Sequence, residues 1–287
     1  MIDFQAHLIF PVHAVPAAGP LPKDAEQISV RTPGGETLYG VHLPSGEANA
    51  NRTLILGFGG NGWNGQDVAE YLHEIFPDED VVAFHYRGYP PSTGSPSAEA
   101  LIADAPLVYD AAVEATKPAR VIAVGFSIGT GIAAQLAASR KLDGLILVTP
   151  FDALKAVAQS MYPWLPIGPL FAHEIDAAGP LRSSEVPVAI IAAERDEIVP
   201  RERTEALSNP LAPSGRVHSL CGFSALPQVH AASGLVRAEQ VVLADQPCRS
   251  SKLGCGVLIG GLHLVGRETL GQGKAHNGRN HHHLLNR

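Results

Sequence analysis

The chain has 287 residues, of which 45% are hydrophobic, and its formal net charge at pH 7 is −7. This composition excludes a globally disordered protein, because it provides enough apolar side chains for a large core. The acidic balance, with no basic block ahead of the C-terminal tail, argues against binding to nucleic acid or to an anionic membrane and favours small-molecule chemistry.

The N-terminus lacks the features of a secretion signal, since the first basic residue is Lys23 and Pro11 interrupts the apolar run. No stretch of 18 or more apolar residues predicts a membrane-spanning helix. The chain has three cysteines, Cys221, Cys248 and Cys255, and no two of them form a C-x-x-C pair. This pattern predicts neither a disulfide framework nor a zinc module. We therefore expect a cytoplasmic protein without a metal site.

Short apolar runs alternate with helical patterns along the first two hundred residues, which predicts an α/β fold with a mostly parallel central sheet and helices on both faces. Runs at 27–30 and 37–42 flank a Pro-Gly-Gly turn and predict an antiparallel hairpin that opens the sheet. Five buried strands are predicted to follow, at 53–57, 81–85, 120–124, 144–148 and 188–193. Helices are predicted at 66–76, 97–115 with Ser97 as N-cap, and 128–139.

Two later segments depart from this alternation. Residues 150–185 contain prolines that break any continuous helix, and we expect them to form a small cap-like segment on a core that spans residues 1–207. The net charge then reverses, from −12 over residues 1–207 to +5 over residues 208–287. We hypothesise that residues 208–287 are an atypical tail that is frameshifted or poorly ordered, or that replaces the usual end of the domain.

The motif that indicates chemistry is Gly-Phe-Ser-Ile-Gly at 125–129, between an apolar strand and a helix of small residues. In this G-x-S-x-G arrangement Ser127 occupies a tight, strained turn, and Gly125 and Gly129 remove side chains that would collide there. Ser127 is the predicted nucleophile, and the alternative is an ordinary tight turn. The Ile128 N–H, at the start of the helix, is placed to stabilise an oxyanion.

A second oxyanion donor is expected from the glycine-rich loop after the strand at 53–57, because glycines let the backbone approach a bound group. The same loop places Gly57, Gly59 and Gly62 in the spacing of a dinucleotide fingerprint. That alternative requires an acidic residue at the end of the next strand, where the chain reads Ala-Phe-His-Tyr. We therefore expect no dinucleotide and no other cofactor.

A serine nucleophile needs a histidine base that is oriented by a carboxylate. Asp196 follows the strand at 188–193 and is the predicted acid, with Asp152, after the preceding strand, as the alternative. The predicted base is His230, with His218, in a short strand expected over 216–220, as the alternative. His85, His173 and the later histidines of the tail are not expected to reach the nucleophile.

These motifs resemble the α/β-hydrolase superfamily, within it the hydrolases related to serine aminopeptidases and dienelactone hydrolases. The resemblance covers about residues 25–207 and rests, besides 125–129, on the segments 58–61, 85–89, 92–96, 149–152, 162–166 and 196–200. It implies that Asn61, with Gly60 beside it, lends the second oxyanion N–H and that the Tyr86-Arg87-Gly88 turn supports the site. Gly59 stands where such relatives often have histidine.

A second departure concerns the base. Relatives place a Gly-x-Gly-His strand end in the window 221–231, where this chain has only His230. Together the residues and the resemblance imply a serine hydrolase that transfers the acyl group of a small-molecule ester, thioester or amide to water, without metal or organic cofactor. The alternative is a catalytically impaired protein with a binding or scaffold role, because a clear catalytic histidine motif is missing.

Overall fold

A computed structural model describes residues 2–46, 52–161, 171–193, 196, 198–211 and 217–223. Its strands are β1 (Glu26–Arg31), β2 (Thr37–Leu43), β3 (Thr53–Phe58), β4 (Asp80–Phe84), β5 (Arg120–Phe126), β6 (Gly144–Val148), β7 (Val188–Ala193) and β8 (Val217–Phe223). Its helices are α1 (Ile2–Ile9), α2 (Gly65–Ile75), α3 (Ala98–Thr116), α4 (Ile128–Ala137), α5 (Leu154–Met161), α6 (Ala178–Ser183) and α7 (Arg201–Ser208), with a short 3₁₀ helix at Val12–Ala14.

The eight strands form one sheet in the order β1-β2-β4-β3-β5-β6-β7-β8. β2 runs antiparallel to both β1 and β4, and every pairing from β4 to β8 is parallel. The predicted α/β fold with an opening hairpin is therefore confirmed, and the predicted strands match the observed ones to within one or two residues.

Helices cover both faces of the sheet, which is why the central strands are continuous apolar runs. Leu54, Leu56 and Phe58 of β3 belong to the large core that includes residues of α3 and α4. On the opposite face, a side chain at Gly57 would lie 2.6 Å from Leu72 and 2.9 Å from Val68, both in α2. Side chains therefore alternate along β3 between the two helical layers.

Polar side chains fix the start of two of these helices. Ser97 accepts a hydrogen bond from the Ala100 N–H at 3.1 Å, which confirms the predicted N-cap of α3. Asn64 accepts from the Asp67 N–H at 2.9 Å and caps α2 in the same way. Both caps satisfy backbone donors that have no acceptor within the helix.

Several elements were not predicted or extend beyond the prediction, among them α5 and α6 in the segment expected to form a cap. α1 ends just before Pro11, and α7 follows Pro200, so proline marks a boundary of each helix. β8 pairs in parallel with β7, so the sheet continues beyond residue 207. Residues 224–287, the rest of the predicted tail, lie outside the described residues.

The strand register brings the loops after β3, β5 and β7 to one edge of the sheet. Phe58 pairs with Gly125, and the row through Phe126 continues across Val148 and Ile191 to Leu220. Loops that follow the carboxyl ends of parallel strands form the usual ligand crevice of such sheets. Within the described residues, none of the helices has the length and apolarity to cross a membrane.

Candidate active site

Ser127 occupies the turn between β5 and α4 with φ +48° and ψ −116°. Residues other than glycine rarely adopt this backbone conformation. Its N–H donates to the Val148 carbonyl at 3.0 Å, and its own carbonyl accepts from the Thr130 N–H at 2.9 Å and from the Thr130 hydroxyl at 2.6 Å. The residue is half-buried. This backbone geometry is the sharp strand-to-helix turn that the G-x-S-x-G pattern predicts.

The two glycines of the motif permit close backbone packing around that turn. A side chain at Gly125 would lie 2.6 Å from the Gly129 carbonyl oxygen. One at Gly129 would overlap the Phe58 carbonyl oxygen and lie 2.6 Å from that of Gly59. The first turn of α4 therefore packs directly on the loop that follows β3.

That loop approaches the predicted nucleophile. A methyl group added at Gly60 would lie 3.9 Å from Ser127 Cβ, so the Gly60 backbone faces Ser127. The N–H of Ile128, in the first turn of α4, has no acceptor within the helix. The structure thus places Gly60 close to Ser127, which directly precedes the positive end of α4.

The N-terminal segment runs over this loop, a contact that sequence reasoning missed. Three side-chain amides from residues 61–66 donate to its backbone carbonyls, each at 3.2 Å: Asn61 to Ile9, Asn64 to Pro16 and Gln66 to Pro20. Phe10, which follows Ile9, is buried in the core. The cluster of amide side chains at 61–66 was the available signal, but their partners are more than forty residues away in sequence.

Two tyrosines of the turn after β4 hold the same loop. The Tyr86 hydroxyl donates to the Gly59 carbonyl and the Tyr89 hydroxyl to the Asn61 carbonyl, both at 2.7 Å. Between them, Arg87 forms ion pairs with Asp104 and, at 3.1 Å, with Glu36. The resemblance implied that this turn supports the site, and these contacts show how it fixes the loop.

His85 precedes this turn and is buried, with Nδ1 accepting a hydrogen bond from the Gly65 N–H at 3.2 Å. Burial lowers the pKa of His85 to about 4, so the ring is neutral at pH 7. Neutral Nδ1 as an acceptor leaves the proton on Nε2. His85 therefore ties the start of α2 to the end of β4 as an uncharged residue.

Asp196 lies in the loop after β7, at the same edge of the sheet as Ser127. Its Oδ1 accepts from the N–H groups of Ile198 at 2.9 Å and Val199 at 2.8 Å. These two bonds fix the carboxylate through one oxygen. Its other oxygen, Oδ2, has no hydrogen bond to the described residues and is the atom that could accept from an imidazole.

Asp152, the alternative acid, has other partners. Its carboxylate faces Arg203, with Oδ2 3.4 Å from Nη1, and its backbone carbonyl accepts from the N–H groups of Ala177 and Ala178. Asp152 thus joins the segment after β6 to α6 and α7. Asp196 accepts from N–H groups of its own loop, whereas Asp152 faces an arginine.

Of the two predicted bases, the structure describes the backbone of His218 only. His230 lies outside the described residues. His218 pairs with Ala189 in β8, two residues before Leu220, which is in the row level with Phe126. His218 is therefore about 7 Å back along β8 from the row of Phe126. It is also roughly 14 Å, or three strand spacings, across the sheet from β5. This backbone position is set back from the edge where Ser127 lies.

His173 is buried, and its ring meets that of Phe10 edge to face at 5.7 Å. Neither ring nitrogen has a hydrogen-bond partner in the described part of the chain. Two residues further on, Ile175 packs against α4 at Gly131. His173 therefore lies on an element that contacts the helix of the nucleophile, although the sequence predicted no role for it.

Three aromatic rings pack together at the end of β5, one from the loop after β3, one from α2 and one from the residue before Ser127. Trp63, Tyr71 and Phe126 contact one another with ring centroids 5.2–5.8 Å apart. Burial and the nearby Glu74 raise the pKa of Tyr71 to about 12. Across the described residues, no group of three His, Cys, Asp or Glu side chains is arranged as a metal site would require. The candidate site thus combines a hydroxyl, backbone amides and a carboxylate beside apolar rings.

Comparison with known proteins agrees with this geometry. The family model of the alpha/beta hydrolase fold matches residues 54–184. An uncharacterized protein of Mycobacterium tuberculosis is 31% identical over 202 residues, 67% of this chain and 71% of that protein. The lysophosphatidylserine lipase ABHD12 of Mus musculus is 30% identical over 188 residues, and the match covers 58% of this chain and 47% of the lipase.

Solved structures share the fold at low sequence identity. An alpha-beta hydrolase from Vibrio vulnificus superposes with a TM-score of 0.64 at 19% identity, over 77% of this chain and 85% of that one. An esterase from Pyrococcus furiosus gives a TM-score of 0.58 at 19% identity, over 72% and 85%. At this identity the likeness shows a common fold, and the chemistry has to be argued from the site.

Proposed function

This chain belongs to the alpha/beta hydrolase fold family, and on that basis we propose that it is a serine hydrolase that cleaves carboxylic esters through Ser127. The observation that carries the proposal is the backbone of Ser127, with φ +48° at the junction of β5 and α4. A chain keeps such a conformation only where its surroundings enforce it, and strain of this kind concentrates at functional sites.

In the proposed reaction the Ser127 oxygen attacks the ester carbonyl carbon while a histidine takes the hydroxyl proton. The carbonyl oxygen becomes an oxyanion between the N–H groups of Ile128 and of Gly60 or Asn61. Each such donor contributes roughly 10²- to 10³-fold to kcat in comparable sites. The histidine then returns the proton to the departing alcohol, and water hydrolyses the acyl-enzyme by the same route.

Asp196 is the proposed acid, because its Oδ1 is fixed by two backbone N–H groups and its Oδ2 is left to accept from the imidazole. In this role it holds the ring in the tautomer that takes the serine proton and stabilises the imidazolium that forms. His230 is the proposed base, with His218 as the alternative. The register of β8, which places His218 beside Ala189, favours His230.

The relatives support esters over amides as substrates. One is named as a lysophosphatidylserine lipase and one structural neighbour as an esterase. Both names describe cleavage of a carboxylic ester. The ester bond is therefore the proposed target, and the alcohol it carries is left open.

Hydrolysis of a series of p-nitrophenyl esters, from acetate to octanoate, tests the proposal on the wild type and four variants. We expect Ser127→Ala and Asp196→Asn to lose activity, the former by at least about 10³-fold. His230→Ala should fall with Ser127→Ala, whereas His218→Ala should stay active. Ser139→Ala, a serine whose hydroxyl bonds the Leu136 carbonyl just beyond the end of α4, is the matched control and should stay active.

Equal rates in the wild type and in Ser127→Ala would overturn the proposal. Loss of activity in His218→Ala but not in His230→Ala would identify His218 as the base, with Ser127 still the nucleophile. A wild type that folds but hydrolyses none of the esters would favour the catalytically impaired alternative.

A further inference from the structure

We propose that Tyr86 and Tyr89 are positioning residues, whose hydroxyl groups hold the loop at Gly59–Asn61 so that its backbone N–H groups point at the acyl carbonyl; the inference rests on the proposed serine hydrolase function. Neither residue would touch the substrate or exchange a proton. Their effect would be to orient the oxyanion hole before a substrate binds.

The three carbonyl groups of this loop all have donors. Gly59 accepts from the Tyr86 hydroxyl at 2.7 Å, Gly60 from the Trp63 N–H at 3.2 Å, and Asn61 from the Tyr89 hydroxyl at 2.7 Å. Two of the three donors are thus side chains from another element, and the third closes a turn within the loop.

A carbonyl that is fixed in this way also fixes the N–H of the following residue. The peptide unit is planar and trans, so its C=O and N–H point in opposite directions. The Tyr86 hydrogen bond therefore orients the N–H of Gly60, whose Cα faces Ser127. The Trp63 hydrogen bond orients the N–H of Asn61 in the same manner, and Tyr89 fixes the peptide that follows.

The loop needs such support because of its own sequence. Residues 59–62 read Gly-Gly-Asn-Gly and form neither helix nor strand. Glycine loses more conformational freedom on ordering than any other residue, so this loop would sample many orientations without its tyrosines. Misplacing a catalytic group by about 1 Å can cost roughly 10²-fold in rate.

The tyrosines themselves are held firmly. Tyr89 is fully buried, and the two rings meet edge to face at 5.7 Å. The Tyr89 N–H donates to the Tyr86 carbonyl at 2.8 Å, and Arg87 between them is paired with Asp104 and Glu36. Burial raises the pKa of both hydroxyls far above the assay range, so each remains protonated and able to donate.

Tyr86→Phe and Tyr89→Phe test the inference, because each removes one hydroxyl and keeps the ring. We expect kcat on p-nitrophenyl butyrate to fall about tenfold or more in Tyr86→Phe, and by a smaller factor in Tyr89→Phe, with KM within about twofold. The loss appears in kcat because the oxyanion forms only after the substrate has bound. Amide hydrogen exchange of Trp63, whose N–H donates to the Gly60 carbonyl, should be faster in both variants.

Tyr109→Phe is the matched control. The Tyr109 hydroxyl also donates to a backbone carbonyl, that of Lys141 at 2.9 Å, beyond the end of α4 that is remote from Ser127. Its removal should leave kcat, KM and the exchange of the loop unchanged. Far-UV circular dichroism and the melting temperature of each variant separate a loss of folded protein from a loss of orientation.

The inference is overturned if Tyr86→Phe keeps the wild-type kcat, or if its kcat falls only in proportion to the folded fraction. A wild type without esterase activity would instead remove the proposed function. Hydrogen exchange then decides the positioning role by itself: faster exchange at the Trp63 N–H in Tyr86→Phe supports it, and unchanged exchange overturns it.

Discussion

At the scale of single residues, Ser127 combines a reactive group with a strained backbone. Its φ of +48° and ψ of −116° are tolerated by glycine and costly for a residue with a Cβ, by about 1–3 kcal/mol. The contacts that enforce this conformation come from the helix and strands around the residue. The site therefore reduces stability in order to expose the hydroxyl.

The substitution Ser127→Gly should relieve this strain, whereas Ser127→Ala should retain it. Glycine gains freedom in the unfolded chain by roughly 0.5–1 kcal/mol, so we expect a net stabilisation of about 1 kcal/mol for the glycine variant relative to the alanine variant. Both variants lack the hydroxyl, so the comparison isolates the backbone. Urea denaturation measures the difference, and equal stabilities would show that the turn is not strained.

His85 determines how stability responds to acid. Burial lowers its pKa to about 4 in the folded chain, from an ordinary value of 6.5. In the unfolded chain His85 is therefore protonated below about pH 6.5, whereas in the folded chain it is protonated only below about pH 4. The contribution of the neutral ring to stability is complete above pH 6.5 and decreases as the pH falls from 6.5 to 4.

His85→Asn should remove this dependence, because its amide oxygen can accept from the Gly65 N–H as Nδ1 does but does not titrate. Between pH 7 and pH 5 we expect the wild type to lose about 2 kcal/mol more unfolding free energy than the variant. Urea denaturation at the two pH values gives both slopes. If the unfolding free energy of the wild type and of the variant fell equally between pH 7 and pH 5, the pKa of His85 would not be lowered in the folded chain.

At the scale of elements, α4 and the loop after β3 meet through a glycine. A side chain at Gly129 would overlap the Phe58 carbonyl oxygen and lie 2.6 Å from that of Gly59. Gly129→Ala should thus destabilise the fold by about 2 kcal/mol or more, because backbone cannot move aside as a side chain can. Gly46→Ala, at a glycine with nothing within 4 Å, should change stability by less than about 0.5 kcal/mol.

Thermal or urea unfolding of the two alanine variants checks this prediction. Similar stabilities would show that the helix and the loop are packed less closely than the structure has them. Gly46 and Gly129 are both outside the set of glycines with a positive φ, so neither alanine variant is strained for that reason.

The elements that the sequence predicted well are those whose local pattern agrees with their burial. β6 and β7 are apolar runs covered by helices, and their predicted limits coincide with the observed ones. α1 and α7 are eight residues each, too short for a helical period to stand out from the surrounding loop. The hydroxyl-to-carbonyl bonds of Tyr86 and Tyr89 connect residues 27 and 28 positions apart, and no local pattern encodes them.

At the scale of the whole molecule, β8 covers the edge of β7. Val188 and Ile190 of β7 are buried, and β8 pairs with this strand from Val217 onward. A chain that ends before β8 would expose an apolar strand with unpaired backbone groups, which is a template for aggregation. The sheet therefore requires residues beyond the predicted core boundary at 207.

Two truncated chains test this requirement, one ending at Leu211 and one at Phe223. Both lack residues 224–287, so they differ only in residues 212–223, which include β8. We expect the shorter chain to melt at least about 5 °C lower, as a loss of roughly 2 kcal/mol implies for a domain of this size, and to aggregate on a gel-filtration column. Equal melting temperatures and equal elution would show that β7 needs no partner.

The candidate site could be predicted in part from the sequence. Ser127 and its turn follow from glycines two positions to either side, because the required conformation is local. The base could not be fixed in this way, since a catalytic histidine is defined by its distance to the serine and not by its neighbours. His218 and His230 have similar surroundings in sequence, and the register of β8, which places His218 back from the edge, bears on only one of them.

The most direct measurement is the reaction of the intact protein with a fluorophosphonate, followed by mass spectrometry of its peptides. Such probes form a covalent bond with a serine whose hydroxyl is activated, and ordinary serines do not react. If Ser127 is the nucleophile, we expect one adduct per chain, on the peptide that contains Ser127, and none in Ser127→Ala. An unmodified wild type, or an adduct that persists in Ser127→Ala, would contradict it.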